Sequence, residues 1–135
     1  MASLIPAPLL LGKTIGSSND GFVIAEWQDA GVTNEARPVA PLHLHHRDDE
    51  AWYVLEGMLG VQVGGNKVEA RPGSAVFVAR GTPHTYWNAG TGHLRYLLVM
   101  TSNIHQLIQE IHAATDRSPA AMRDIFRRHD SEILG

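Results

Sequence analysis

Between Leu9 and Met100 the sequence is a succession of short apolar runs separated by Gly, Pro and Asn. The runs are rich in Val, Ile, Leu, Tyr, Trp and Phe, which favour strands, and runs this short and closely spaced are typical of an antiparallel sandwich or barrel. The segment VQVGGNKVEA is the clearest hairpin, because two alternating runs meet at Gly64-Gly65-Asn66, which are residues that tolerate positive φ. The predicted strands are LLLGKTI, FVIAEW, AWYVLEG, LGVQV, KVEA, AVFVA, HTYWN and LRYLLVM.

The pattern changes to that of helices after Met100. Apolar residues at i, i+3, i+4 and i+7 predict an amphipathic helix, capped by Ser102 or Asn103. Ser118 followed by Pro119 predicts the start of a second helix. We expect residues 1–101 to form a β-barrel and residues 102–135 a helical segment packed on it, within a single domain. The apolar faces of the two helices would be formed by Ile104, Leu107, Ile108 and Ile111, and by Ala121, Met122, Ile125 and Phe126.

Length, charge and cysteine content narrow the classes of function. A chain of 135 residues suggests one domain that buries roughly two-thirds of its unfolded surface. The net charge of -3 gives no reason to expect nucleic acid or an anionic membrane as a partner. No apolar run approaches the roughly 20 residues of a membrane span, and the N-terminal sequence lacks a basic region, so we expect a cytoplasmic location. With no cysteine in the chain, any metal would be held by N and O ligands.

The segment PLHLHHRDDE, residues 41–50, concentrates three histidines and three acids. It is either a solvated polar turn or part of a metal site. Alternate residues of a strand share a face, so His43 and His45 would point the same way and His46 the opposite way. Residues 47–49 would form a polar turn, and a hairpin would then bring Glu50 back beside the two histidines.

A further histidine, His84, begins a predicted strand after the turn Gly-Thr-Pro. The preceding proline restricts the chain and would help to aim the imidazole. Three imidazoles and a carboxylate are a suitable set for a divalent ion such as Fe, Mn, Co, Ni, Cu or Zn. A six-coordinate ion would keep two positions for water or substrate, as catalytic sites require.

These two histidine segments resemble the two motifs of the cupin superfamily. The first motif is Gly, five residues, HxH, three or four residues, Glu, six residues and Gly; the second is Gly, five residues, Pro-x-Gly, two residues, His, three residues and Asn. The sequence departs from them at Arg37, where a Gly is expected, and at Ala79, where a Pro is expected, and neither is a ligand position. The resemblance covers residues 35–101, and the matching positions are His43, His45, Glu50 and Gly57, then Gly73, Gly81, His84 and Asn88.

This resemblance implies a mainly β fold, the double-stranded β-helix or jelly-roll barrel, with C-terminal helices. It also implies one divalent transition metal per chain, bound by His43, His45, Glu50 and His84. Glu50 would be both a ligand and the group that handles a proton, and so a catalytic residue.

Five apolar or aromatic residues are candidates to line the barrel interior and bind substrate, with ordinary core packing as the alternative. Trp52 and Tyr86 are favoured because each lies two residues from a ligand on the same strand face. Of Arg95 and Tyr96, only one can face inward. The five candidates are Trp52, Phe77, Tyr86, Tyr96 and Met100.

The chain also resembles small quercetinase-like cupins, which implies a dioxygenase-like oxidoreductase acting on a small aromatic or enolic substrate. A non-catalytic sensor that binds a small molecule is an alternative, as is an isomerase or decarboxylase, because one fold supports many functions. A phosphosugar substrate would need several basic residues in the pocket, and near the motifs there are Arg71, Arg80 and Arg95. By analogy with cupins of this size we expect a homodimer, to which Leu9 to Leu11 and the FVIAEW strand would contribute.

Overall fold

The computed structural model describes residues 4, 14–31 and 39–135. Within these residues it contains ten strands and two helices. Most strands are short and lie at the positions expected from the apolar runs, whereas the predicted residues Leu9 to Leu11 lie outside the described part. The elements are β1 (Thr14–Ile15), β2 (Phe22–Asp29), β3 (His43–His45), β4 (Glu50–Glu56), β5 (Leu59–Val63), β6 (Asn66–Ala70), β7 (Ala75–Val78), β8 (His84–Asn88), β9 (Leu94–Thr101), α1 (Ser102–Ala113), α2 (Pro119–Arg128) and β10 (Ser131–Ile133).

The strands form two five-stranded antiparallel sheets. The first sheet has the order β1-β2-β9-β4-β7 and the second the order β10-β3-β8-β5-β6. Strands that are neighbours in a sheet are mostly distant in sequence, as in a jelly roll, where two Greek keys alternate between the sheets. The predicted mainly β, two-sheet barrel is confirmed.

The core lies between the two sheets and is built by strand alternation. On β9, Leu94, Tyr96, Leu98 and Met100 are buried, whereas the residues between them are less so. This is the pattern of a strand with one face on the core. The β5–β6 hairpin pairs Val63 with Asn66, so Gly64-Gly65 forms a two-residue loop. Positive φ at the first of these glycines matches a type II′ turn.

Both helices are capped by side chains. Ser118 accepts a hydrogen bond from the Ala121 N–H and Pro119 occupies the first turn of α2, which confirms that predicted start. The predicted cap of α1 was wrong: Thr101, rather than Ser102 or Asn103, accepts from the Ile104 N–H. The reason is that β9 continues through Thr101 and enters the helix directly. None of the described helices is long and apolar enough to cross a membrane.

The segment after residue 101 is not helical throughout, contrary to expectation. Ser131–Ile133 forms β10, which pairs antiparallel with β3 and places Ser131 opposite His45. The chain therefore returns from α2 to complete the second sheet at the strand that contains two of the motif histidines.

Two adjacent acids between β3 and β4 have different environments. Asp48 is buried and accepts hydrogen bonds from Thr101 Oγ1 and Asn103 Nδ2, both at 2.8 Å. Asp49 is more exposed and pairs with Arg80 at 3.0 Å. Asp48 thus connects this turn to the first residues of α1, whereas Asp49 contributes a surface ion pair.

We expect Asp48→Ala to lower the free energy of unfolding by about 1–3 kcal/mol, because it removes the shared acceptor of two part-buried donors. Asp49→Ala is the matched control and should cost less than about 1 kcal/mol, as exposed ion pairs do. Urea denaturation followed by circular dichroism measures both variants. Equal losses would contradict the distinction between the two carboxylates.

Candidate metal centre

The four motif residues converge in the barrel interior, although not through the predicted hairpin. His43 and His84 face each other on the neighbouring strands β3 and β8 of the second sheet. Glu50 lies on β4 in the first sheet, so its carboxylate approaches the histidines from the opposite side of the barrel. The hairpin prediction was wrong because β3 pairs with β8 and β10 and never with β4.

The convergence is tight and shielded from solvent. One ligand atom from each of His43, His45, Glu50 and His84 lies within 4.8 Å of the others. Glu50 Oε1 is 2.9 Å from His84 Nε2 and 3.3 Å from His45 Nε2. All four side chains are buried, whereas His46 is exposed and lies just beyond the end of β3, so strand alternation does not apply to it.

Backbone carbonyls determine the tautomer of two imidazoles. His43 Nδ1–H donates to the Pro41 carbonyl at 2.7 Å, and His84 Nδ1–H donates to the Thr82 carbonyl at 2.9 Å. A carbonyl can only accept, so the proton of each ring is on Nδ1. The Nε2 atom of each neutral ring therefore has a free lone pair.

His45 is held in the same tautomer by a serine. Its Nδ1 is 2.6 Å from Ser131 Oγ. The Ser131 hydroxyl itself donates to the His129 carbonyl at 3.1 Å, so Oγ accepts from His45 Nδ1–H. The buried His45 Nε2 has no hydrogen-bond partner in the described part of the chain, despite its short distance to Glu50.

This arrangement places acceptor atoms next to one another. With Nδ1 protonated, a neutral ring directs its Nε2 lone pair at the ionised carboxylate, an approach that a bound metal cation or a second ring proton stabilises. Burial, together with the charges of His84 and His45, lowers the pKa of His43 to about 4. Burial acts to raise the pKa of Glu50, but His45 and His84 outweigh it and lower that pKa to about 2. The neutral imidazole and the ionised carboxylate are the forms that bind metal.

The cluster is therefore compatible with one metal ion. Its donor set of three imidazole nitrogens and one carboxylate suits Fe, Mn, Co, Ni, Cu and Zn alike. An ion at this position would account for the buried His45 Nε2, which has no hydrogen-bond partner among the described residues.

Four of the five predicted lining residues do lie in the interior. Trp52 packs against the ring of His84 at 5.8 Å and against Tyr86 at 5.3 Å, and Tyr86 contacts Tyr96 at 6.0 Å, between centroids. Met100 is buried and lies opposite Glu50 in the ladder. Trp52, Tyr86 and Tyr96 form an aromatic wall that begins at the candidate ligand His84. Contact of these three residues and of Met100 with a substrate stays a prediction.

Phe77 is placed differently from the prediction. It is 65% exposed and lies on the outer face of β7, because Val76 and Val78 occupy the inward positions of that strand. Of the pair Arg95 and Tyr96, the tyrosine faces inward, and Arg95 pairs with Glu26 outside the core at 3.0 Å.

Two residues near the site were missed by the sequence reasoning. Ser131 contacts His45, and the Phe126 ring packs edge-on against His43 with 5.6 Å between centroids. Phe126 was expected only to pack on the barrel. Three residues of strand after a helix give little pattern to detect, so β10 and its serine had no marker in the sequence.

Comparisons with known proteins give a family match and similar folds. Residues 33–100 match the family described as "Cupin domain", whereas no curated protein matches the chain. A protein from Acidithiobacillus ferrooxidans assigned as a sugar phosphate isomerase is 26% identical, with a TM-score of 0.52, over 61% of this chain and 51% of that one.

Two smaller proteins align over more of their length. A cupin protein from Bacteroides fragilis is 14% identical, with a TM-score of 0.57, over 75% of this chain and 86% of that one. A Thermus thermophilus protein is 24% identical, with a TM-score of 0.53, over 70% and 89%. The present chain thus spans about half the length of the isomerase-like protein and shares the fold of the two smaller ones.

We expect the wild-type protein to bind about one divalent ion per chain and His84→Ala to bind far less, because removal of one of four ligands leaves an incomplete site. His46→Ala is the control, since His46 is exposed and is not one of the clustered residues. Elemental analysis after dialysis against the metal measures the stoichiometry, and circular dichroism verifies folding. Equal metal content in His84→Ala and wild type would contradict the assignment.

Proposed function

The chain belongs to the cupin domain family, and from that premise we propose that it is a mononuclear metal-dependent oxidoreductase of the dioxygenase type. Its substrate would be small and aromatic or enolic. The observation that most supports this proposal is the contact between the ligand His84 and the aromatic wall, which begins at Trp52. A substrate in that position would lie against the rings and reach the metal at the same time.

The residues of the site would have different roles. His43, His45, His84 and Glu50 would hold the ion, which supplies Lewis-acid and redox chemistry at its open positions. The low pKa of Glu50 keeps its carboxylate ionised, which is the form that binds metal and accepts a hydrogen bond from a substrate hydroxyl. The hydroxyl of an enol or a catechol would be such a donor, which is compatible with substrates of that class.

Trp52 adds a requirement on the substrate. Its Nε1–H is buried and has no hydrogen-bond partner among the described residues. An unpaired buried donor costs about 1–3 kcal/mol, and a carbonyl or enolate oxygen of a substrate would satisfy it. Burial raises the pKa of Tyr86 and of Tyr96, so both hydroxyls keep their protons as further donors.

A sugar phosphate isomerase is the second candidate, on the likeness to the Acidithiobacillus protein. A phosphate group would require basic residues in the pocket. Among the described residues no Lys or Arg is buried, and Arg95 and Arg80 are paired with acids outside the interior. These pairings favour the oxidoreductase.

The protein loaded with Fe, Mn, Co, Ni or Cu should consume O₂ in proportion to substrate when given flavonols, β-diketones or catechols. An oxygen electrode and product analysis measure this, with His84→Ala as the inactive control. Isomerisation of phosphosugars without O₂ uptake would support the second candidate. Binding of the panel compounds without turnover would favour a non-catalytic sensor and contradict the proposal.

In the same assay, Trp52→Phe keeps an aromatic ring and removes the donor. It should raise KM roughly 2- to 12-fold, corresponding to the loss of one hydrogen bond of about 0.5–1.5 kcal/mol. An unchanged KM would exclude Trp52 from substrate recognition.

The proposal includes a homodimer, formed through the outer face of the first sheet. Cross-strand pairing places Ile24, Val99, Ala51 and Phe77 in one apolar row across four strands, and Phe77 is largely exposed. Two copies of such a face pack isologously about a twofold axis. The predicted role of the FVIAEW strand changes accordingly, because β2 lies between β1 and β9 and presents its face rather than a free edge.

Light scattering at micromolar concentration should give a dimer mass for the wild type and a monomer mass for Phe77→Glu, because a charge in an apolar interface has no partner. Val68→Glu is the matched control, an exposed valine on β6 of the other sheet, and it should remain dimeric. A monomeric wild type would contradict the dimer.

A further inference from the structure

The chain beyond the matched family region contacts two of the three candidate histidine ligands. Ser131, on β10, is 2% exposed and its Oγ is 2.6 Å from His45 Nδ1. Phe126, on α2, packs against His43. The family match ends at residue 100, so these contacts come from outside the matched region.

Ser131 is held in position by backbone pairing on both sides. The His46 N–H donates to the Asp130 carbonyl, and the Leu134 N–H donates to the Leu42 carbonyl, each at 2.8 Å. Asp130 has a φ of 52°, a left-handed conformation that aspartate tolerates better than most residues. This turn redirects the chain from the end of α2 into β10 and places Ser131 opposite His45.

The hydroxyl of Ser131 lies between His45 Nδ1 and the His129 carbonyl, and it accepts from His45 when it donates to that carbonyl. Its own proton is committed to the His129 carbonyl, and that carbonyl also accepts from Asn103 Nδ2, which in turn donates to Asp48. The serine is therefore one member of a fixed network and not a freely rotating hydroxyl.

We infer that Ser131 is a positioning residue for the metal centre, which holds the His45 imidazole in the tautomer and orientation that direct its Nε2 lone pair at the cluster. This inference rests on the metal-binding part of the proposed function. Without the serine, His45 Nδ1–H would be buried and unsatisfied, and the ring could move its proton to Nε2 and lose the lone pair needed there.

The first test is the affinity of the full-length protein for Co²⁺, measured by titration against a competing chelator. Ser131→Ala should weaken binding about 10- to 100-fold, as removal of a hydrogen-bond partner of a ligand does. Thr85→Val is the matched control. It removes a buried hydroxyl on β8 whose hydrogen bond goes to the Ala40 backbone carbonyl at 2.7 Å and not to a ligand side chain, so it should reduce stability and leave the Co²⁺ affinity within about threefold.

Unchanged affinity in Ser131→Ala would overturn the inference, as would equal losses in both variants, which would indicate a general effect of stability. The second test needs no metal: long-range ¹H–¹⁵N correlation spectra should show His45 protonated on Nδ1 in the wild type and in both tautomers in Ser131→Ala. A wild type that binds no Co²⁺ would contradict the proposed function, and the spectra would still decide the role of Ser131.

Discussion

The interaction on which this structure depends is the close approach of three buried imidazole rings and one buried carboxylate. These groups are brought together away from solvent, and their approach is unfavourable until a positive charge, from a metal ion or a ring proton, compensates the carboxylate. Packing of the two sheets holds the histidines and Glu50 in this position. The hydrogen bonds on the outer nitrogen of each ring prevent the histidines from relieving the conflict by rotation or by a change of tautomer.

Strand alternation explains which parts of this site were accessible from sequence. His43 and His45 share a face, as do Glu50 and Trp52, because period two is a local property that requires no knowledge of the neighbours. The same rule failed for Phe77, since its phase depends on where β7 begins after the Pro-Gly turn and a shift of one residue reverses every side chain.

Pairing between segments that are far apart in the sequence was much harder to predict from the sequence. The position of Glu50 on the opposite sheet and the return of β10 to β3 both depend on contacts between residues far apart in the chain. Asp48 and Asp49 illustrate the same limit, because adjacent acids in one turn look equivalent until the position of α1 is known. The resemblance to cupins implied the ligand set. The matched region, residues 33–100, does not include Ser131, which contacts His45 Nδ1.

The separation of 86 residues between His45 and Ser131 has a consequence for synthesis. All four candidate ligands have left the ribosome once residue 84 has emerged, yet the strand that orients one of them is made later. A nascent chain therefore has all four candidate ligands before it has the strand that contacts His45. The hydrogen-bonded setting of His45 seen here is complete only once β10 has paired with β3.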